Sequence, residues 1–142
     1  MARRFVTILL CPGTIHFNSE IVLQFVLTES ITISCSGPVG SCILDANGDT
    51  RHFKGFTVGK TLAFIDLTFI NGLVDNDSSA GSFGGSLNSF GSGATIILTG
   101  CVFYNNHATS LSGDSAVSIY QASNMVVSSH AWQYYSDTHF FH

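Results

Sequence analysis

Asp45-Ala46-Asn47-Gly48-Asp49, followed by Arg51 and His52, is the densest concentration of chemistry-bearing side chains in the chain. Acidic and amide oxygens at alternate positions open a calcium-binding loop, in which they surround the ion together with a late bidentate Glu. The opening Asp-x-Asn-x-Asp is present, but Phe56 stands where that Glu is required. Asp, Asn and Gly are also the residues that turns select, so the segment reads as a polar corner between strands. Asp66 is a second candidate carboxylate, and its place 34 residues on is taken by Gly100, which marks a bend. The seven Asp and two Glu fall mostly in turns, not at alternate positions along one strand face. No catalytic, cofactor-binding or metal-binding set is therefore expected.

The other reactive side chains point to structure. Cys35 and Cys42 bracket Ser-Gly-Pro-Val-Gly-Ser, a turn-rich loop that brings two cysteines within disulfide reach, and a bridge there implies an oxidising compartment. Cys101 occupies the slot that Leu67 fills 34 residues earlier, as expected of a buried thiol packing as a small hydrophobe. With no Cys-x-x-Cys pair and no His at ligand distance from one, zinc spacing is missing, and His130, His139 and His142 follow no ligand pattern. Asn76-Asp77-Ser78 is a candidate glycosylation sequon.

Composition narrows the partners. Only 10% of residues are charged, against roughly 25% in an average domain. The formal net charge is −4 and the five basic residues are scattered, so there is no basic patch for nucleic acid. No run of 18 apolar residues exists to span a bilayer. Arg3-Arg4 followed by Phe5–Leu10 has the order of a signal peptide, but the apolar run is short and no small-x-small cleavage site follows, so it reads as a strand.

The elements that hold these residues are set by a repeat. Residues 59–72 and 93–106 are one pattern written twice at an offset of 34, with Leu62 over Ile96, Phe64 over Leu98, Leu67 over Cys101, Phe69 over Phe103 and Asn71 over Asn105. Apolar residues alternate within short runs that end at Gly, Asn, Asp or Ser, which predicts twelve strands between Thr7 and Ser128, including Ile21–Leu27, Phe53–Val58, Ser86–Ser89 and Cys101–Tyr104. Each unit contributes three strands, the plan of a right-handed parallel β-helix of about four coils. Asn71 and Asn105 end the third strand, where Asn tolerates a left-handed turn and stacked amides form a ladder. A worn third copy places Met125 under Ile96, Val127 under Leu98, His130 under Cys101 and Trp132 under Phe103. The expected organisation is one β-solenoid domain, residues 1–142, with opening strands in 1–30, core coils in 31–121 and a degenerate coil and tail in 122–142.

The segment from Ile31 to Tyr120, with ITIS, CILDANGDTRHF, LTFINGL, GGSL and CVFYNNHA, resembles the right-handed β-helix repeats of the pectin-lyase-like superfamily. Its Cys101–Asn106 unit is similar to the CxFxxN-type strand of polymorphic outer-membrane-protein and adhesin repeats, and residues 8–15 resemble the first strand and turn of such helices. The resemblance covers about two-thirds of the chain and implies a cell-surface or extracellular scaffold or adhesin-like module. Because that fold also hosts polysaccharide lyases and hydrolases, and inert fragments of larger helices, function must be read from a site. The candidate binding face is the outward strip of Thr68, Ile70, Val102 and Tyr104, facing a carbohydrate or another protein. Open ends of a short stack expose strand edges, so end-to-end self-association is the further expectation.

Overall fold

The computed structural model describes residues 5–19, 21–24, 29–56, 59–74, 85–90, 93–108, 117–120, 124–128 and 140–141. Among them the chain is all β, without a helix. The strands are β1 Phe5–Leu10, β2 Gly13–His16, β3 Ile21–Gln24, β4 Ser30–Cys35, β5 Cys42–Asp45, β6 Phe53–Phe56, β7 Thr61–Ile65 and β8 Leu67–Ile70. They continue with β9 Leu73–Val74, β10 Leu87–Phe90, β11 Thr95–Thr99, β12 Val102–Tyr104, β13 His107–Ala108, β14 Val117–Tyr120, β15 Asn124–Ser128 and β16 Phe140–Phe141.

Among the described residues every strand pair is parallel. The chain visits three sheets in a fixed rotation, so each sheet collects one strand per pass: β1-β4-β7-β11-β15, then β2-β5-β8-β12, then β3-β6-β10-β14-β16. A fourth, two-stranded sheet joins β9 to β13. The described strands make four full passes, and β15 and β16 belong to a fifth. The register of the third and fourth passes follows the sequence repeat, with Leu62 beside Ile96, Phe64 beside Leu98 and Phe69 beside Phe103.

Inward residues form columns that run through the passes. Ile33, Phe64 and Leu98 make one, Leu44, Phe69 and Phe103 a second, and Phe53, Leu87 and Val117 a third; all are buried. The Phe69 and Phe103 rings stack with centroids 4.8 Å apart and an interplanar angle of 4°. That separation matches the spacing of neighbouring strands, so ring stacking and backbone pairing demand the same geometry.

Corner lengths differ between passes. The first sheet turns into the second through Cys11 and Pro12 in the first pass, residues 36–41 in the second, Asp66 in the third and Gly100-Cys101 in the fourth. Asp66 and Gly100 both hold left-handed backbone, φ 56° and 60°. The Asp66 carboxylate fills the space that a side chain at Gly100 would need, which accounts for the change of residue type. Gly85 answers a different demand: any Cβ there would meet the backbone of His107.

Several boundaries differ from expectation. Gly13–His16, where no strand is expected, is strand β2: Gly13 takes φ 147° and the chain re-enters a sheet directly after Pro12. The strand expected over Ile21–Leu27 is described as Ile21–Gln24, and that over Phe53–Val58 as Phe53–Phe56; the remaining residues lie outside the described part, as do Asn76, His130, Trp132, His139 and His142. Among the described residues no helix is long and apolar enough to cross a membrane.

Candidate functional site

Two polar groups are built where the passes meet, one at an exposed corner and one inside. The exposed corner follows the second sheet. Asn47, Asn71 and Asn105 each hold left-handed backbone there, at φ 57°, 56° and 53°. Asn105 Nδ2 donates to Asn71 Oδ1 at 2.7 Å, and Asn71 Nδ2 donates to Asp45 Oδ1 at 2.9 Å. Backbone bonds follow the same turn, from Ala46 N to Ile70 O and from Asn71 N to Tyr104 O. The column ends in a histidine on each side. His107 Nε2 lies 3.1 Å from Asn105 Oδ1, and His16 Nδ1 lies 3.4 Å from Asp45 Oδ2 and 3.2 Å from Asn47 Oδ1.

Asp45 is the anion of this column. Desolvation pushes its carboxyl up, but the Asn71 amide and the Asn47 N–H donate to it and His16 and His52 stand nearby, so the balance falls below the ordinary carboxylate value. The sequence run from Asp45 to His52 is divided between the corner and the interior. Asp45 is tied into the corner, Asp49 N donates to Ala46 O to close a turn, and His52 faces the interior.

The interior group is centred on His52, which is fully buried. Nε2 lies 2.8 Å from Leu44 O, and Ser86 Oγ lies 3.0 Å from Nδ1. A carbonyl only accepts, so Nε2 carries the proton and Nδ1 accepts from the Ser86 hydroxyl. Phe17 and Phe69 pack edge-on against the imidazole at 5.3 and 5.4 Å. Burial drives the His52 pKa down to about 4, against smaller upward effects from Leu44 O, Ile70 and Asp45. A Ser–His pair with this spacing has the geometry of a nucleophile and its base. Ser86 is itself completely buried, so the hydroxyl meets the protein and no solvent, and the pair joins two passes. Asn106 works the same way, accepting from Gly72 N at 2.8 Å and donating to Phe69 O at 2.9 Å.

No family model, curated protein or solved structure matches this chain. The assignment of its site therefore rests on geometry. Cys35 and Cys42 are joined by a disulfide across residues 36–41, while Cys101 is buried and unpaired with its thiol pushed up to about 11 by burial. Its Sγ donates to Phe64 O at 3.3 Å, which makes it an interior residue. The strip named from sequence is in register, Thr68 beside Val102 and Ile70 beside Tyr104. Only Tyr104 is open, at 48% exposure; Thr68, Ile70 and Val102 are half-buried, and the Thr68 hydroxyl is buried without a partner among the described residues.

The sequence reading missed His16, Ser86 and Asn106. His16 falls between the expected strands, and Ser86 is expected only as the start of one. Asn106 carried a usable signal: two adjacent asparagines at a strand end supply one amide for the outer turn and one for the inner.

Proposed function

We propose that this chain is a non-catalytic, right-handed parallel β-helix module that works outside the cell or at its surface and meets a glycan or protein partner on the outer face around Tyr104. The observation that carries the reading is the use to which its reactive side chains are put. His52, Ser86 and Asn106 bridge neighbouring passes from inside, and Asp45, Asn71 and Asn105 bridge them from outside. Such bridges hold a stack in register and leave the flat outer strand face to make contacts. The rotation through three parallel sheets supports the helical architecture, and crossovers between parallel strands are right-handed almost without exception. The Cys35–Cys42 disulfide supports an oxidising location. Tyr104 offers an exposed aromatic surface of the kind on which sugar rings and protein side chains pack.

A glycan array probed with the wild-type chain and with Tyr104→Ala tests the binding face. Signal that falls in the variant is the expected result, and signal that is indifferent to Tyr104 moves the contact elsewhere. Incubation with polygalacturonate and calcium tests the other half: a rise in ultraviolet absorbance from new unsaturated ends would make the protein a lyase and overturn the non-catalytic reading.

A further inference from the structure

The outer corner between β2 and β5 brings together three ligand atoms of mixed type. His16 Nδ1 lies 3.2 Å from Asn47 Oδ1 and 3.4 Å from Asp45 Oδ2. Two donors bound to one first-row divalent cation lie about 3.0 to 3.4 Å apart, given metal–ligand bonds of about 2.1 Å and octahedral or tetrahedral angles. Both separations therefore fit the edges of a coordination polyhedron. In the metal-free chain Nδ1–H donates to Asn47 Oδ1, and a cation bound here takes the place of that proton.

Apart from their contacts with His16, the oxygens are held in place by bonds to other atoms of the same side chains. Asp45 Oδ1 accepts from Asn71 Nδ2 and from Asn47 N, both at 2.9 Å, and so turns Oδ2 toward His16. Asn47 Nδ2 donates to Phe17 O at 3.2 Å, which sets the amide so that Oδ1 faces the same point. The left-handed turn at Asn47 places its side chain there at all. His16 is 60% exposed and Asp45 14%, so the point is reachable from solvent while the carboxylate is partly shielded from it. Bracing of this sort is what raises metal affinity in built sites.

We propose that His16 Nδ1, Asp45 Oδ2 and Asn47 Oδ1 form a binding site for a borderline divalent transition cation such as zinc, with water completing the coordination. The imidazole selects against magnesium and calcium, and the carboxylate supplies the balancing charge. The site clamps the first pass of the chain to the second at the end of the amide column. It is independent of the binding face around Tyr104, and either proposal can fail alone.

Zinc titrated into the full chain by calorimetry, in a non-coordinating buffer at neutral pH, is the test. The expected result is one saturable equivalent that is weakened roughly tenfold or more in His16→Ala, since a three-ligand site loses its only nitrogen. Asn47→Gly keeps the left-handed turn and removes the amide oxygen, and it weakens the same equivalent. His107→Ala, at the far end of the column, leaves that equivalent intact. Circular dichroism of each variant checks that the strands remain. A wild-type titration without saturable binding into the millimolar range, or a His16→Ala protein that binds as tightly as wild type, overturns the site.

Discussion

His16 and His52 belong to neighbouring passes and lie on either side of Asp45, yet their surroundings make them opposites. His16 stands at an exposed corner with two oxygens facing one nitrogen. His52 is enclosed, with both nitrogens hydrogen-bonded inside the protein and aromatic rings on its flanks. The difference teaches that burial and partner type, more than residue identity, separate a group available for ligands from one that serves the fold. Burial disfavours the charged imidazolium, which holds His52 neutral between its carbonyl and hydroxyl partners.

The comparison breaks most visibly at His52. His52→Ala leaves a cavity and strands Leu44 O and the Ser86 hydroxyl, and is expected to cost about 3 to 4 kcal/mol in denaturant unfolding. The same residue sets a pH dependence. Its folded pKa, about 4, lies below the ordinary value of 6.5, so the unfolded chain takes up the proton first as the pH falls. Stability is then full above about pH 6.5, declines by about 3 kcal/mol toward pH 4 and levels below it as far as this group is concerned. Asp45 has a depressed pKa and acts in the same direction at lower pH: its contribution is present above its unfolded value and is lost as the pH falls through the folded one. Unfolding curves from pH 7.5 to 4 that are equally steep in wild type and in His52→Ala would remove His52 from this role.

Asn106→Ala is the next effect in size. Two bonds to buried backbone disappear together, Gly72 N–H and Phe69 O lose their partner, and about 2 kcal/mol of stability should go with them. At the exposed end of the comparison, Asn105→Gly retains the left-handed turn and removes one amide bond to Asn71, for a loss of about 0.5 kcal/mol. Thermal melts of the two variants rank them. An Asn105→Gly loss as large as that of Asn106→Ala would erase the distinction between outer and inner bridges.

Much of the column architecture is legible in the residues. Phe64 over Leu98 and Phe69 over Phe103 follow from alternation and an offset of 34, and the structure pairs the same residues. Asn71 and Asn105 were recognisable as corner residues because few other side chains accept left-handed backbone. The meeting of His16 with Asp45 and Asn47 was not legible. His16 pairs with Asp45 across a corner of a different length, so the repeat that aligns the third and fourth passes says nothing about the first and second. Ser86 and His52 are themselves an offset of 34 apart, but no sequence pattern distinguishes a buried Ser–His bridge from a strand that begins with serine.

By itself the sequence determined the strand periodicity, the spacing of two of the passes and the corners where Asn or Gly must stand, because these depend on local backbone preference and on the alternation of apolar residues. Only the tertiary structure decided which polar side chains meet. Backbone bonds between passes set the register, and residues 36–41 lengthen one corner where Asp66 alone makes another. Contacts across such unequal corners depend on where each strand re-enters its sheet, and that is how His16 comes to face Asp45 and Asn47 while His52 is enclosed.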